Sequence, residues 1–250
     1  MPGVESVWFY PIAFFVALIT GVGKSGFGMA GGLSVPLLAL VISPADGAAI
    51  MLPLLLLTDC ASVWAYRKDW DRVNMRILLP AGLLGTALGW LIFRMLDENA
   101  LRIFLGLIAV GFVLNTVLRR QMSVSKISRP KGYFWGAVSG VTSFVAQAGG
   151  PPLWVYLLPL RLDKRLHAGT TVIFFAALNV AKIVPYWMLG LMTVGNLSAS
   201  AMMMPIGLAG IPLGMWMQKR MSTQWFFRVS YTLLFVVGAQ LLYQGLRSKL

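Results

Sequence analysis

Residues 80–89 read PAGLLGTALG, and residues 205–214 read PIGLAGIPLG. Both stretches follow the pattern P-x-G-x-x-G-x-x-x-G, they begin 125 positions apart, and each lies inside an apolar run. A pattern that recurs once at this distance predicts a duplicated unit, and duplicated membrane units are the building plan of many secondary transporters. Transport is therefore the first hypothesis for this chain. The GxxxG pairs within both stretches favour close helix packing over ligand contact.

The composition is typical of a protein embedded in a membrane. Of the 250 residues, 58% are hydrophobic and 12% are charged, and the mean hydropathy is +0.77. Soluble domains carry about twice that charge. Apolar runs of about 18 residues or more, each long enough to cross ~30 Å of hydrocarbon, recur along the chain. We therefore predict an all-α, polytopic membrane protein.

The net charge of +13 does not indicate nucleic-acid binding. The basic residues gather in short loops between apolar runs, where they orient the chain and meet anionic lipid head groups. The single cysteine excludes an intrachain disulfide, and the single histidine, His167, excludes a histidine-rich metal site. His167 follows a basic loop and is predicted to lie at the surface. Neither CxxC, HExxH nor G-x-S-x-G occurs, so we predict no catalytic residue, no metal site and no cofactor.

The apolar segments form two sets of four. In each set, a long stretch interrupted by glycine and proline precedes three uninterrupted spans. The interrupted stretches and their spans are 7–42, 47–66, 77–93 and 103–118 in the first set, and 132–160, 168–189, 197–218 and 225–243 in the second. We accordingly divide the chain into a first repeat, 1–118, a cytoplasmic linker, 119–131, and a second repeat, 132–250.

The two repeats can be aligned residue by residue. The offset between them grows from 118 to 125, as small insertions in loops would cause. The alignment pairs Gly31-Gly32 with Gly149-Gly150, Asp59 with Asn179, Tyr66 with Tyr186, and Pro80 with Pro205.

The charges of the loops predict that the repeats face opposite ways. The first loop between spans, 67–76, contains four basic residues, whereas its counterpart, 190–196, contains none. In the next pair of loops the bias reverses. The basic residues of 94–102 are balanced by acidic residues, whereas 219–228 contains basic residues and no acidic ones. Under the positive-inside rule the two halves are then inverted. Inversion requires an odd number of crossings per half, so each interrupted stretch is predicted to be a hairpin of two half-length helices.

The two interruptions are the predicted binding site. Backbone groups freed inside hydrocarbon must be satisfied by protein or by a watery cavity. A half-helix that begins there directs N–H groups and a partial positive charge towards the cavity, which suits an anion. The alternative is close packing through small residues. The predicted contacts are Gly28, Gly31 and Gly32 in the first interruption and Gln147, Gly149 and Gly150 in the second.

Three ionisable residues lie within apolar segments, and such residues are functional candidates. Lys24, beside the first interruption, and Lys182 are predicted to neutralise a bound anion. The alternative for each is a structural ion pair or extension to the interface. Asp59 either pairs with a lysine or takes up a proton that couples to transport.

Polar residues on the span after the second interruption are further candidates. Thr170, Thr171 and Asn179 carry hydroxyl and amide groups that can hydrogen-bond an oxyanion. Each can instead bond a helix carbonyl. We predict that these three residues contribute to substrate binding.

The order of these features resembles the sulfite exporter TauE/SafE family of membrane permeases. The residues that carry the resemblance are Gly31-Gly32 and Pro36, their echo at Gly149-Gly150-Pro151, and the series Ala168, Gly169, Thr170, Asn179, Tyr186 and Gly190. The resemblance covers almost the whole chain. It implies a permease of the bacterial inner membrane that moves small sulfur-containing anions, such as sulfite, sulfoacetate or related organosulfonates, usually by export.

Other functions stay open at this point. One is a permease for a cation, with Asp59 as ligand, or for another organic acid. Another is a non-transporting membrane scaffold or an accessory subunit of a larger complex. The expected partners are a small anionic substrate and the lipid bilayer, without nucleic acid, and small-residue faces permit a homodimer.

Overall fold

The computed structural model of the chain describes residues 7–24, 32–118, 127–220 and 223–247. Those ranges contain ten α-helices and no β-strand, which confirms the predicted all-α fold. The helices of the first half are α1 (Phe9–Val22), α2 (Ser34–Leu38), α3 (Pro44–Tyr66), α4 (Arg72–Met95) and α5 (Glu98–Leu118). Those of the second half are α6 (Arg129–Ala146), α7 (Gly150–Leu157), α8 (Lys164–Met188), α9 (Val194–Arg220) and α10 (Thr223–Arg247).

Five helices in the described part of the chain are long and apolar enough to cross a membrane. They are α3, α4, α8, α9 and α10, and each coincides with a predicted span. α5 occupies the position of the remaining predicted span. The prediction of a polytopic membrane protein is therefore confirmed.

Polar caps make two of the long helices begin before their apolar runs. Asp71 Oδ1 accepts a hydrogen bond from the backbone N–H of Val73 at 2.9 Å, and Asp163 Oδ1 accepts one from Arg165 N–H, also at 2.9 Å. Such caps satisfy backbone donors that have no partner in the first turn of a helix. α4 and α8 consequently start at residues 72 and 164, ahead of the predicted 77 and 168.

Each interrupted stretch contains two helices, but α6, with 18 residues, is longer than the predicted half-length helix. α1 has 14 residues and is about 21 Å long, so it cannot cross a bilayer core alone. α2 and α7 are shorter still, with 5 and 8 residues. Hydroxyl groups join the two members of each pair: Thr20 Oγ1 lies 2.8 Å from Ser34 Oγ, and Ser139 Oγ donates to Gly149 O at 2.7 Å.

The helix contacts have the same pattern in both halves when each helix is replaced by its equivalent in the other half. α4 packs along α6, and the equivalent helix α9 packs along α1. α3 packs against its own equivalent, α8, and α5 against its equivalent, α10. A two-fold relation between two similar units produces this exchange of contacts.

Loop contacts give the relative direction of α3 and α8. Arg165, in the first turn of α8, pairs its Nε with Asp69 Oδ2 just after the end of α3, at 2.8 Å. Asn196, near the start of α9, donates from Nδ2 to Asp46 Oδ1 in the first turn of α3, at 2.8 Å. The end of each helix therefore lies beside the start of the other, so α3 and α8 run antiparallel.

The glycines of the two P-x-G-x-x-G-x-x-x-G motifs lie in close helix contacts, as predicted. A Cβ atom added at Gly85 of α4 would lie 2.0 Å from the carbonyl oxygen of Ala137 in α6. One added at Gly210 of α9 would lie 2.5 Å from the carbonyl oxygen of Leu18 in α1. Only glycine permits backbones to approach this closely.

The variant Gly85→Ala should therefore be destabilised. Its Cβ would collide with backbone, so helix α4 must shift, at a cost of about 1–3 kcal/mol in the free energy of unfolding. Thermal unfolding in detergent measures the loss. Gly111→Ala is the matched control, because nothing lies within 4 Å of a Cβ there. Equal melting temperatures for the two variants would contradict the packing role.

Candidate functional site

An ion pair lies inside the helix bundle, where α1 ends. The Lys24 ammonium contacts Asp59 Oδ1 on α3, and Asn179 Nδ2 on α8 donates to Asp59 Oδ2 at 2.6 Å. The Asp59 side chain is 4% exposed, whereas that of Lys24 is 19% exposed. Asp59 therefore pairs with a lysine, which is one of the two roles predicted for it. Asp59 and Asn179, which the alignment placed at equivalent positions, contact each other directly.

Lys182 is fully buried beside this pair and is not part of the wall of the cavity that Lys24 and Asn179 line. Its Nζ donates to Gln147 Oε1 at 2.6 Å, to Ser143 Oγ at 2.8 Å and to Asn179 Oδ1 at 2.9 Å. Three acceptors match the three protons of an ammonium group. Lys182 thus joins α8 to the end of α6 and orients two amide side chains.

The ion pair borders a cavity of about 230 Å³. A Cβ at Gly32 would lie 3.8 Å from that of Ala148, so the described part of the first interruption lies next to the second. Gly28 and Gly31 fall outside the described residues. The predicted site residues that line the cavity are Lys24, Gly32, Gln147, Gly149, Gly150, Thr171 and Asn179.

The two neighbouring threonines have different surroundings. Thr170 Oγ1 donates to Leu166 O at 2.7 Å and accepts from Asp71 N–H at 2.8 Å, and Thr170 does not line the cavity. Thr171 does line it. Successive residues of an α-helix are about 100° apart around the axis, so the two side chains leave α8 in different directions. Thr170 ties α8 to the loop before α4, while Thr171 faces the candidate site.

The second interruption offers fewer backbone donors than predicted. Gln147 ends α6 in the left-handed conformation, with φ 52°, and α7 begins at Gly150. Pro151 and Pro152 follow, and proline has no N–H group. The start of α7 can therefore donate only through the amides of Gly149 and Gly150. Among the described residues, side chains must therefore supply most of the donors beside the second interruption.

Sequence reasoning missed several residues of the cavity wall. His167, predicted at the surface, is half-buried and lines the cavity one turn before Thr171. The spacing i, i+4, i+8 of His167, Thr171 and Phe175, which places residues on one helix face, could have indicated this. Tyr66, Thr20 and Trp154 also line the cavity, but only the tertiary structure brings their helices together.

The wall of the cavity reaches one end of α3 and α8, while buried aromatic side chains fill the space towards the other end. Tyr66 is the last residue of α3, and His167 lies in the first turn of α8, beside the basic loops. Beyond the ion pair, Tyr186 and Phe144 are both fully buried. Tyr186 donates to Phe144 O at 2.6 Å, and the two rings meet edge to face at 5.0 Å between centroids.

These observations define a class of protein: a multi-pass α-helical membrane protein with two interrupted helical stretches that meet at a cavity lined by apolar and polar side chains. The family model described as Sulfite exporter TauE/SafE matches residues 13–241, and the chain belongs to this family. The family is one of membrane transporters for sulfur-containing anions, so the resemblance noted in the sequence is confirmed. Comparisons with curated proteins and with solved structures each found no match to the chain.

A double-mutant cycle should separate the two partners of the ion pair. Lys24→Met leaves the buried Asp59 carboxylate unpaired and should cost about 3–5 kcal/mol in the free energy of unfolding. Asp59→Asn should lower the free energy of unfolding by less, because the Lys24 ammonium still reaches the cavity when its carboxylate partner is removed. The double variant Lys24→Met/Asp59→Asn should be more stable than Lys24→Met alone. Unfolding in detergent measures all three, and simple addition of the two losses would contradict the pairing.

Proposed function

We propose that this protein is an exporter of small sulfur oxyanions, such as sulfite, sulfoacetate or related organosulfonates, in a bacterial inner membrane. The observation that carries the proposal is the position of Lys24. This cation follows the end of the short helix α1, and its side chain lines the cavity. An intramembrane cation beside a polar cavity is a natural counter-ion for an anionic substrate.

The charges around the cavity favour an anion over a cation. With both lysines protonated, Lys24, Lys182 and Asp59 carry one net positive charge. Asp59 accepts from Lys24 at one oxygen and from Asn179 at the other, so its carboxylate is engaged and not open to a metal ion. Neither Asp59 nor any other carboxylate of the described residues lines the cavity. These contacts count against the alternative of a cation carrier.

Lys182 contributes by orienting donors. It occupies the oxygen atoms of both Gln147 and Asn179, so the NH₂ group of each amide points to other partners. Asn179 gives one of its two protons to Asp59, and the Gln147 NH₂ group has only a long contact of 3.5 Å to Ala48 O. The remaining protons are available to the oxygens of a sulfite or sulfonate. Lys182 is thus a positioning residue, and Lys24 is the residue that contacts the anion.

Alternating access would follow from an inverted arrangement of the repeats. The antiparallel course of α3 and α8 and the exchange of helix contacts support this arrangement. The positive-inside rule puts the basic loops in the cytoplasm, so the cavity faces the cytoplasm and loads substrate for export. Tyr186 seals the opposite side, while its equivalent Tyr66 lines the open cavity. If Tyr66 moved into a sealing position and Tyr186 moved out of one, the cavity would close on its present side and open to the opposite face of the membrane.

Anion binding should depend on Lys24. Lys24→Gln removes the charge that contacts the anion, so we expect the dissociation constant for sulfite or sulfoacetate to rise tenfold or more, on the order of the ~1.5–3 kcal/mol of a charged hydrogen bond. Calorimetry on purified protein and anion flux in proteoliposomes measure the effect. Lys164→Gln, at an exposed position at the start of α8, is the matched control. Unchanged binding in Lys24→Gln would refute the proposal.

The direction in which the cavity opens can be tested by cysteine labelling. Cys60 is the only cysteine, so Cys60→Ser yields a cysteine-free background in one step. In that background, Ala168→Cys should react with an impermeant maleimide from the cytoplasmic face, and substrate should slow the reaction, because Ala168 lines the cavity. Ala49→Cys, buried at 1% exposure, should stay unlabelled. Labelling of Ala168→Cys only from the outside would contradict the proposed orientation.

A further inference from the structure

Thr171 carries a buried polar atom that its surroundings do not satisfy. Its Oγ1 has no hydrogen-bond partner within the described part of the chain. Other threonines in these helices donate to the carbonyl four residues earlier: Thr20 to Val16 O at 2.7 Å, and Thr170 to Leu166 O at 2.7 Å. A buried hydroxyl that forgoes this bond calls for a partner, since unsatisfied buried groups are rare in native proteins.

Two further donor-bearing side chains share the cavity wall with Thr171. His167 lies one helical turn away on the same face of α8. Trp154 lies on α7 and lines the same cavity, with its indole ring next to Gly150, where an added Cβ would lie 3.5 Å from the ring. The hydroxyl, the imidazole and the indole each carry a hydrogen-bond donor.

This group lies apart from the ion pair. Thr171 precedes Asn179 by eight residues, which corresponds to about 12 Å along the axis of α8. A sulfite ion or a short sulfonate cannot contact both residues at once. His167 and Thr171 instead lie between the inner site at Lys24 and the basic loops at the mouth of the cavity.

We infer that Thr171 and His167, with Trp154 across the cavity, form an outer binding station for the sulfur oxyanion, distinct from the inner site at Lys24. The inference rests on the proposed function, because it assumes that an anion enters this cavity. Neutral donors hold the ion there weakly, since no cation of the described residues lines this part of the wall. Weak binding at the outer station lets the anion pass on, while Lys24 binds it more tightly.

The test is the number of anions bound per protein. Equilibrium dialysis with radiolabelled sulfite should find two sites in the wild type, one tight and one weak. Thr171→Val should lose the weak site and keep the dissociation constant of the tight site within about twofold, and Lys24→Gln should lose the tight site. Thr171→Ser, which keeps the hydroxyl, should retain both sites. His167→Phe should weaken the same outer site as Thr171→Val.

Thr170→Val is the matched control, with the same chemical change on the same helix. It breaks two hydrogen bonds away from the cavity, so it should lower the melting temperature and keep both sites. Thr171→Val removes an unsatisfied hydroxyl, so it should melt no lower than the wild type. One site in the wild type, or two in Thr171→Val, would overturn the inference and leave the proposed function intact. A wild-type protein that binds no sulfite would contradict both.

Discussion

Burial of charge inside the bundle is the constraint on which this structure depends. Asp59 is almost inaccessible, and an ionised group in such surroundings needs a partner. Lys24 and Asn179 supply that partner, and Lys182 in turn holds Asn179. The resulting chain of contacts connects the end of α1, the middle of α3, the middle of α8 and the end of α6. Both helical hairpins are therefore held at the same point by electrostatics.

The same contacts explain why the polar groups in the described wall of the cavity include no carboxylate. One carboxylate is enclosed by its donors, and the oxygen atoms of two amides are occupied by Lys182. Among the described residues, the groups that still face the cavity are the Lys24 ammonium and several N–H and O–H donors. Because prolines occupy the first turn of α7, the backbone there adds few donors, and side chains from several of the described helices supply others.

Much of the fold could be predicted from the sequence, because hydrophobic length and glycine spacing are local properties. The spans, the two interruptions and the packing role of Gly85 and Gly210 all follow from them. The site was harder to predict. Which of Thr170 and Thr171 faces the cavity depends on the rotation of α8, and a pair of adjacent residues does not specify it. His167 shares the helix face of Thr171, so its position in the wall follows once that rotation is known. The loss of donors at Pro151 was available from the sequence, since it needs only the chemistry of proline.

The close contact between α1 and α9 has a consequence for biosynthesis. A Cβ at Gly21 would lie 2.0 Å from the carbonyl oxygen of Gly207, so the groove on α1 is shaped for a helix made 186 residues later. At the usual speed of a ribosome, about 5–20 residues per second, that delay is roughly 10–40 s. During this interval α1 has no contact with its permanent neighbour. The N-terminal hairpin must therefore be sheltered by lipid, by the translocon or by an insertion chaperone until the ninth helix emerges.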